Sequence, residues 1–237
     1  MKKTSLLSAA FLCTLLACNQ QSDDQQADTQ DTETWQTLFD GTSTDSWHTY
    51  HSDSVKGWMI MDGALMSHGG NGDLVTNEEY GDFEMEFDFK IPPKANSGVI
   101  YKVIEDPENA THYSGPEYQV IDDEGYPPFN DNGKMVLIND KQKTGANYDM
   151  QAPSEQAARP AGEWNQGRIV VKDNHIEHWL NGKKVVEYDY GSDAWKEQLA
   201  NSKFKEWAYA TPHAKGKIAL QDHGDEVWYK NIRIRPL

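Results

Sequence analysis

Phe83-Glu84-Met85-Glu86-Phe87-Asp88-Phe89 alternates apolar and acidic residues without a break. Successive side chains of a strand point to opposite faces, so this period of two describes a strand with one face buried and one face wet. Similar signals extend outward from it. Gly98 to Ile104 is β-branched and aromatic, and Glu117 to Ile121 reads as another short strand. Gln166 to Val171 and Ile176 to Leu180 flank Asp173-Asn174, and Asn181-Gly182 then turns into Lys183 to Tyr188. Asn-Gly between β-like runs marks a hairpin, because both residues tolerate positive φ. Lys217 to Gln221 and Val227 to Ile234 close the chain as strands. Helix is scarce: Asp193 to Leu199 predicts one or two turns capped by Ser192, with Trp195 and Leu199 on one face. Many short antiparallel strands with Gly and Asn turns predict an all-β sandwich or jelly roll.

The N-terminus predicts export. Lys2 and Lys3 precede an apolar run from Leu6 to Leu16, shorter than the roughly 18 residues that span a bilayer. Leu15-Leu16-Ala17-Cys18 looks like a bacterial lipobox, whose cysteine is acylated and becomes the new N-terminus. The alternative is an ordinary secreted protein with an incidental cysteine. The expected organisation is a signal peptide over 1–17, a lipidated, disordered tether over 18–33 and a single domain over 34–237. Asn19 to Glu33 has one alanine and no other hydrophobic residue, too little apolar surface to offset ordering entropy. Cys13 lies inside the signal, so the mature chain is expected to hold no disulfide and no thiol nucleophile. The expected location is the bacterial cell envelope, lipid-anchored at the outer membrane on its periplasmic or surface face.

The chain carries a formal charge of −16, which becomes −18 once Lys2 and Lys3 leave with the signal. Nucleic acid and anionic bilayers repel such a protein, so no nucleic-acid partner is expected, and membrane contact only through the N-terminal lipid. A neutral substrate fits better.

Three strands pair an apolar face with a polar one. Alternation sets Glu117 and Gln119 opposite Tyr118 and Val120, with Asp122 at the strand end. It sets Lys102 opposite Val99, Tyr101 and Val103, and Gln221 and His223 opposite Ile218 and Leu220. A plain solvent face is the competing reading, yet an acid, amides, an ammonium and an imidazole are a diverse set for one. Tyr113, Tyr126, Phe129 and Tyr148 stand in neighbouring loops. Aromatic rings beside hydrogen-bonding groups suit a sugar, whose C–H faces stack and whose hydroxyls need partners. Trp35, Trp58 and Trp179 read as core. His175 and His178 face opposite ways on one strand, against a shared metal. No cofactor is required by these residues; Asp122-Asp123-Glu124 has the oxygen donors for a divalent cation such as calcium, a composition more common in solvated turns.

Ordered motifs through nearly the whole domain resemble the bacterial 3-keto-disaccharide hydrolase family, often found on lipoproteins. They include Leu38-Phe39-Asp40-Gly41, Gly57-Trp58, Asp62-Gly63-Ala64-Leu65, Asp73-Leu74-Val75-Thr76 and Asn96-Ser97-Gly98. Glu117-Tyr118-Gln119, Trp179-Leu180-Asn181-Gly182, Leu220-Gln221-Asp222-His223-Gly224 and Tyr229-Lys230-Asn231-Ile232 follow. The resemblance implies a concanavalin A-like jelly roll of two curved antiparallel sheets, and a glycoside hydrolase acting on 3-keto-glycosides or 3-keto-disaccharides. The family often has Arg where this chain has Lys102, a change that keeps the charge and loses the bidentate fork. A ketone at C3 acidifies the C2 proton, so elimination of the C1 oxygen followed by hydration becomes available. On this reading Glu117 or His223 is the base and Lys102 stabilises the enolate oxygen. Gln119, Asp122, Gln221, Tyr148 and Asn96 bind or orient the sugar. Direct hydrolysis by a Glu117–Asp122 carboxylate pair is the competing route, and needs the chain to bend at Asp122. A non-catalytic carbohydrate-binding lipoprotein using the same face is the alternative function.

Overall fold

The alternating acidic stretch forms the strand Phe83–Lys90 at the centre of an eight-stranded sheet. The computed structural model describes Met1 and residues 34–237; the predicted signal, Cys18 and the tether lie outside the described residues. Phe83, Met85, Phe87 and Phe89 are fully buried, as the period of two requires. Their acidic neighbours face outward into ion pairs, Glu84 with Arg235 and Arg168, and Glu86 with Arg233.

The sheet runs Lys183–Asp189, His175–Leu180, Asn165–Lys172, Phe83–Lys90, Val227–Pro236, Ala64–Ser67 and Trp58–Met61, with Gln36–Phe39 also pairing Val227–Pro236. A second sheet runs Trp47–Thr49, Leu74–Thr76, Lys217–Leu220, Asn96–Val103 and Glu117–Ile121. The pairings in both sheets are antiparallel. Two-residue turns at Asp62-Gly63, Asn132-Gly133, Asp173-Asn174 and Asn181-Gly182 join neighbouring strands, and all eight residues have positive φ. That backbone matches the right-handed twist of the strands it joins. Phe87, Tyr118 and Tyr229 meet between the sheets, where Val99, Tyr101, Val120, Ile218 and Leu220 also pack. The result is the concanavalin A-like jelly-roll sandwich that the sequence predicts. Residues 34–237 belong to one compact unit. No helix among the described residues is long and apolar enough to cross a membrane.

The short helix Asp193–Ala200 forms as expected. Ser192 accepts a hydrogen bond from the Trp195 N–H at 3.2 Å, and Trp195 and Leu199 are its buried residues. Single-turn segments Lys203–Glu206 and Ala208–Ala210 follow it.

Two expectations need correction. Strict alternation placed Val103 in the core beside Val99 and Tyr101, with Lys102 on the opposite face. A bulge intervenes: the pairing slips between Ala219 opposite Ile100 and Lys217 opposite Val103, and Lys102 takes a φ of 57°. Such an inserted residue redirects the side chains that follow, and Val103 packs instead with Val75, Ile100 and Ala219 in a separate cluster. Trp35 and Trp179 are not core either. They lie part-exposed, Trp35 beneath the guanidinium groups of Arg233 and Arg235 and Trp179 beneath that of Arg168.

Candidate active site

The polar face of the five-stranded sheet forms the floor of a cleft of about 170 Å³. Glu117 and Gln119 project from one strand and Asn96 from its neighbour, while Gln221 and His223 follow the strand Lys217–Leu220. Gly98 lies opposite Gln119, and Ile100 opposite Glu117. The Gln221 N–H donates to the Gly98 carbonyl at 2.8 Å, which aligns the last floor residue with the first three.

The walls come from turns. Residues 145–148 extend the sheet beyond Glu117–Ile121. The Gln119 N–H donates to the Ala146 carbonyl at 3.1 Å, and the Tyr148 N–H donates to the Glu117 carbonyl at 3.0 Å. Asn147 and Tyr148 are thereby fixed beside the floor. His112 stands on the turn Thr111–Tyr113, which the Thr111 hydroxyl ties to the Asp73 carboxylate. Lys203, Phe204, Trp207 and Tyr209 descend from the segments after the helix.

Glu117 dominates the electrostatics. It is 8% exposed, and its carboxyl group has no hydrogen-bond partner among the described residues. Burial pushes its pKa up to about 8, with Lys203 opposing the rise and Asp73 and Asp149 adding to it. A carboxyl in this state can both hold and give up a proton near neutral pH. The Lys203 ammonium donates to Asp149 at 2.8 Å and to the Tyr148 hydroxyl at 3.2 Å. Burial disfavours its charge, but Tyr148 and Asp149 outweigh that and raise its pKa. His112 is lowered by burial and then by Lys203 and His223, which favours a neutral ring. Asn96 Oδ1 and Gln221 Oε1 have no partner among the described residues, although most buried side-chain polar atoms do.

Of the residues expected from sequence, Glu117, Gln119, Asn96, Tyr148, Gln221 and His223 line this one cleft. Lys102 and Asp122 do not. Lys102 is 1% exposed, and its ammonium donates to the carbonyls of His213 and Ala214 at 3.0 and 3.1 Å, because the bulge turns it away from the floor. Asp122 bends into its own turn, accepting from the N–H groups of Lys94 at 2.7 Å and Gly125 at 3.0 Å. Glu117 is the only carboxylate among the described residues lining the cleft, so the Glu117–Asp122 pair of the competing route does not assemble. The Asp123 carboxylate accepts from the Thr144 N–H. The Asp122 and Asp123 carboxylates thus accept from backbone N–H groups of Lys94, Glu124, Gly125 and Thr144.

Sequence reasoning missed Lys203, His112, Asn147, Phe204, Trp207 and Tyr209. The available signal was Lys203-Phe204-Lys205-Glu206-Trp207, a run of aromatics and cations directly after a capped helix.

The sequence profile described as the 3-keto-alpha-glucoside-1,2-lyase-like domain matches residues 34–235. A 3-keto-disaccharide hydrolase of Bacteroides thetaiotaomicron is 32% identical over 230 residues, covering 85% of this chain and 78% of that protein. The crystal structure of a candidate glycosyl hydrolase of Parabacteroides distasonis superposes with a TM-score of 0.81 at 38% identity, covering 87% of this chain and 95% of the other. A second candidate glycosyl hydrolase from the same organism superposes at 0.66 with 29% identity, covering 86% and 100%.

Proposed function

Since this chain belongs to the 3-keto-α-glucoside-1,2-lyase-like family, a family of glycosyl-hydrolase type, we propose that it cleaves 3-keto-glycosides, including 3-keto-disaccharides, by elimination and hydration. The observation that carries this reading is the single buried Glu117, without a second carboxylate, facing a cleft that also holds a cation.

Ordinary glycosidases use two carboxyl groups, one on each side of the scissile bond. With one carboxylate in the cleft, the substrate itself must lower the barrier, and a C3 ketone does so by acidifying C2–H. In its ionised form Glu117 takes the C2 proton as general base. Electron density moves to the C3 oxygen, where the Lys203 ammonium, held by Tyr148 and Asp149, stabilises the enolate. The enolate re-forms its carbonyl conjugated to a C1–C2 double bond as the C1–O bond breaks. His223 supplies a proton to the departing oxygen. Water then adds at C1, its proton passing to His223, and Glu117, whose carboxyl proton has exchanged with solvent in the interval, protonates C2, so acid and base finish as they began. Asn96, Gln119 and Gln221 present amides to the sugar hydroxyls.

Turnover of a 3-keto-glucoside beside the same glucoside with an ordinary C3 hydroxyl tests the proposal. The keto compound is cleaved and the unoxidised one is not; equal cleavage of both rejects the assignment. We place the site of action at the cell envelope on sequence grounds: a lipid on Cys18 would hold the domain there, where glycosides arrive before uptake.

A further inference from the structure

Trp207 has two occupied sides. One lines the catalytic cleft; the other lines a second pocket of about 280 Å³ that also involves Tyr113, Ile104, Ala110, Ala208 and His213. Tyr113, one of the loop aromatics singled out in the sequence, has no place in the chemistry above. Its ring lies 4.4 Å from that of Trp207 at an interplanar angle of 32°, a tilted pair that the His112 ring also packs against. Both rings are partly exposed. Neither the Trp207 indole N–H nor the Tyr113 hydroxyl has a hydrogen-bond partner among the described residues. Among the described residues, the indoles of Trp47, Trp58, Trp179, Trp195 and Trp228 each donate to an oxygen, whereas those of Trp35 and Trp164, like that of Trp207, do not. The part-exposed sides of this ring pair, with their free polar tips, form a surface for a ring with C–H faces and peripheral hydroxyls.

The remaining lining sets the charge of the occupant. Asp106 and Glu206 stand at this pocket and none of its lining residues is a lysine or arginine. A sugar acid or sugar phosphate is repelled there and a neutral ring is not. His213 is lowered by burial and by the neighbouring Lys102, which favours a neutral imidazole rather than a second cation.

We propose that the pocket beyond Trp207 is a subsite for the leaving group of the substrate, built for a neutral second sugar ring stacked against Tyr113 and Trp207. This rests on the activity proposed above and gives it a direction. The keto-sugar sits over Glu117, and the departing sugar lies across Trp207. Trp207 therefore contacts both halves of a disaccharide, whereas Tyr113 contacts only the departing one.

The test compares two substrates, a 3-keto-glucosyl-glucose and methyl 3-keto-glucoside, in the wild-type protein, Tyr113→Ala and Ala110→Phe. Tyr113→Ala removes the platform, and Ala110→Phe fills the pocket. Each is expected to lower the ratio of kcat/KM for the disaccharide over the methyl glycoside by about tenfold, the scale of one lost ring stack. An unchanged ratio in both variants overturns the subsite. If the wild-type protein cleaves neither compound, the activity reading has failed, and D-glucose binding followed by saturation-transfer NMR judges the subsite alone. Glucose contact seen in the wild type and lost in Tyr113→Ala supports it; no contact, or equal contact in both, overturns it.

Discussion

The Glu117 carboxyl lies directly over Gly98 on the neighbouring strand: a β-carbon at Gly98 would meet Glu117 Oε1 at 2.3 Å and its Cδ at 2.9 Å. The absence of a side chain at Gly98 is what lets the buried acid fold across the floor. Gly98→Ala must push that carboxyl aside. A displacement near 1 Å at a reacting group costs on the order of 100-fold in rate. Steady-state kinetics should show kcat falling by one to two orders of magnitude while the melting temperature moves by only a few degrees. A variant with full activity would show that Glu117 need not lie where it does.

Burial of Glu117 also has a stability cost with a defined sign. Its pKa rises from 4.5 to about 8 on folding, so the folded state favours the protonated form. The stabilising contribution is complete below pH 4.5 and declines as pH rises toward 8, amounting to a relative loss on the order of 3 kcal/mol by pH 7. Glu117→Gln abolishes catalysis and removes this slope. Denaturant unfolding at pH 5 and pH 8 is expected to show the variant gaining on the wild type at the higher pH.

His178 acts in the opposite direction. Fully buried, it shares hydrogen bonds with the Tyr101 hydroxyl at 2.8 Å and the Gly145 carbonyl at 3.0 Å, and burial lowers its pKa from 6.5 to about 4. The stability of its neutral form is present above pH 6.5 and is lost as pH falls through 4, about 3 kcal/mol in all. Because Gly145 leads into the wall that holds Tyr148, acid unfolding should begin with that wall. Hydrogen exchange at the amides of Gly145 to Tyr148 between pH 4 and pH 7 checks this, with faster exchange expected at the acid end after correction for intrinsic rates.

Lys203 and Lys102 separate cleanly. Lys203→Met removes the cation beside the enolate oxygen and should cost about 100-fold in kcat with little loss of stability. Lys102→Met strands the carbonyls of His213 and Ala214 and should lower the melting temperature while leaving kcat within a few-fold. Reversed outcomes would return Lys102 to the chemistry.

For the anchor, Cys18→Ala is expected to move the protein from the membrane fraction to the soluble one. Retention in the membrane would remove the lipid from the account.

Much of the fold was legible because strand chemistry is local. Phe83 to Phe89 declares its buried face by alternation, and Asn181-Gly182 declares its turn by the φ values it tolerates. Glu117, Gln119 and Gln221 were legible for the same reason, since each follows the period of its own strand. Lys102 was misplaced because one bulge residue reverses every later parity on the strand, and nothing in Tyr101-Lys102-Val103 announces it. Asp122 was expected at the cleft but points away from it, because one of its partners, the Lys94 N–H, comes from a distant connection that meets Asp122 only in the folded sheet, while the Gly125 N–H comes from its own turn. Lys203, His112 and Asn147 reach the site from turns whose position depends on packing against the sheet, and no periodicity encodes that.

The central claim is that cleavage passes through removal of the C2 proton. The most direct measurement is turnover of a 3-keto-glucoside in D₂O, with the released keto-sugar examined by NMR at C2 against an enzyme-free control. The account predicts deuterium at C2 in step with turnover, and none in Glu117→Gln. A product that keeps its original C2 hydrogen through full turnover would contradict it and point to direct hydrolysis.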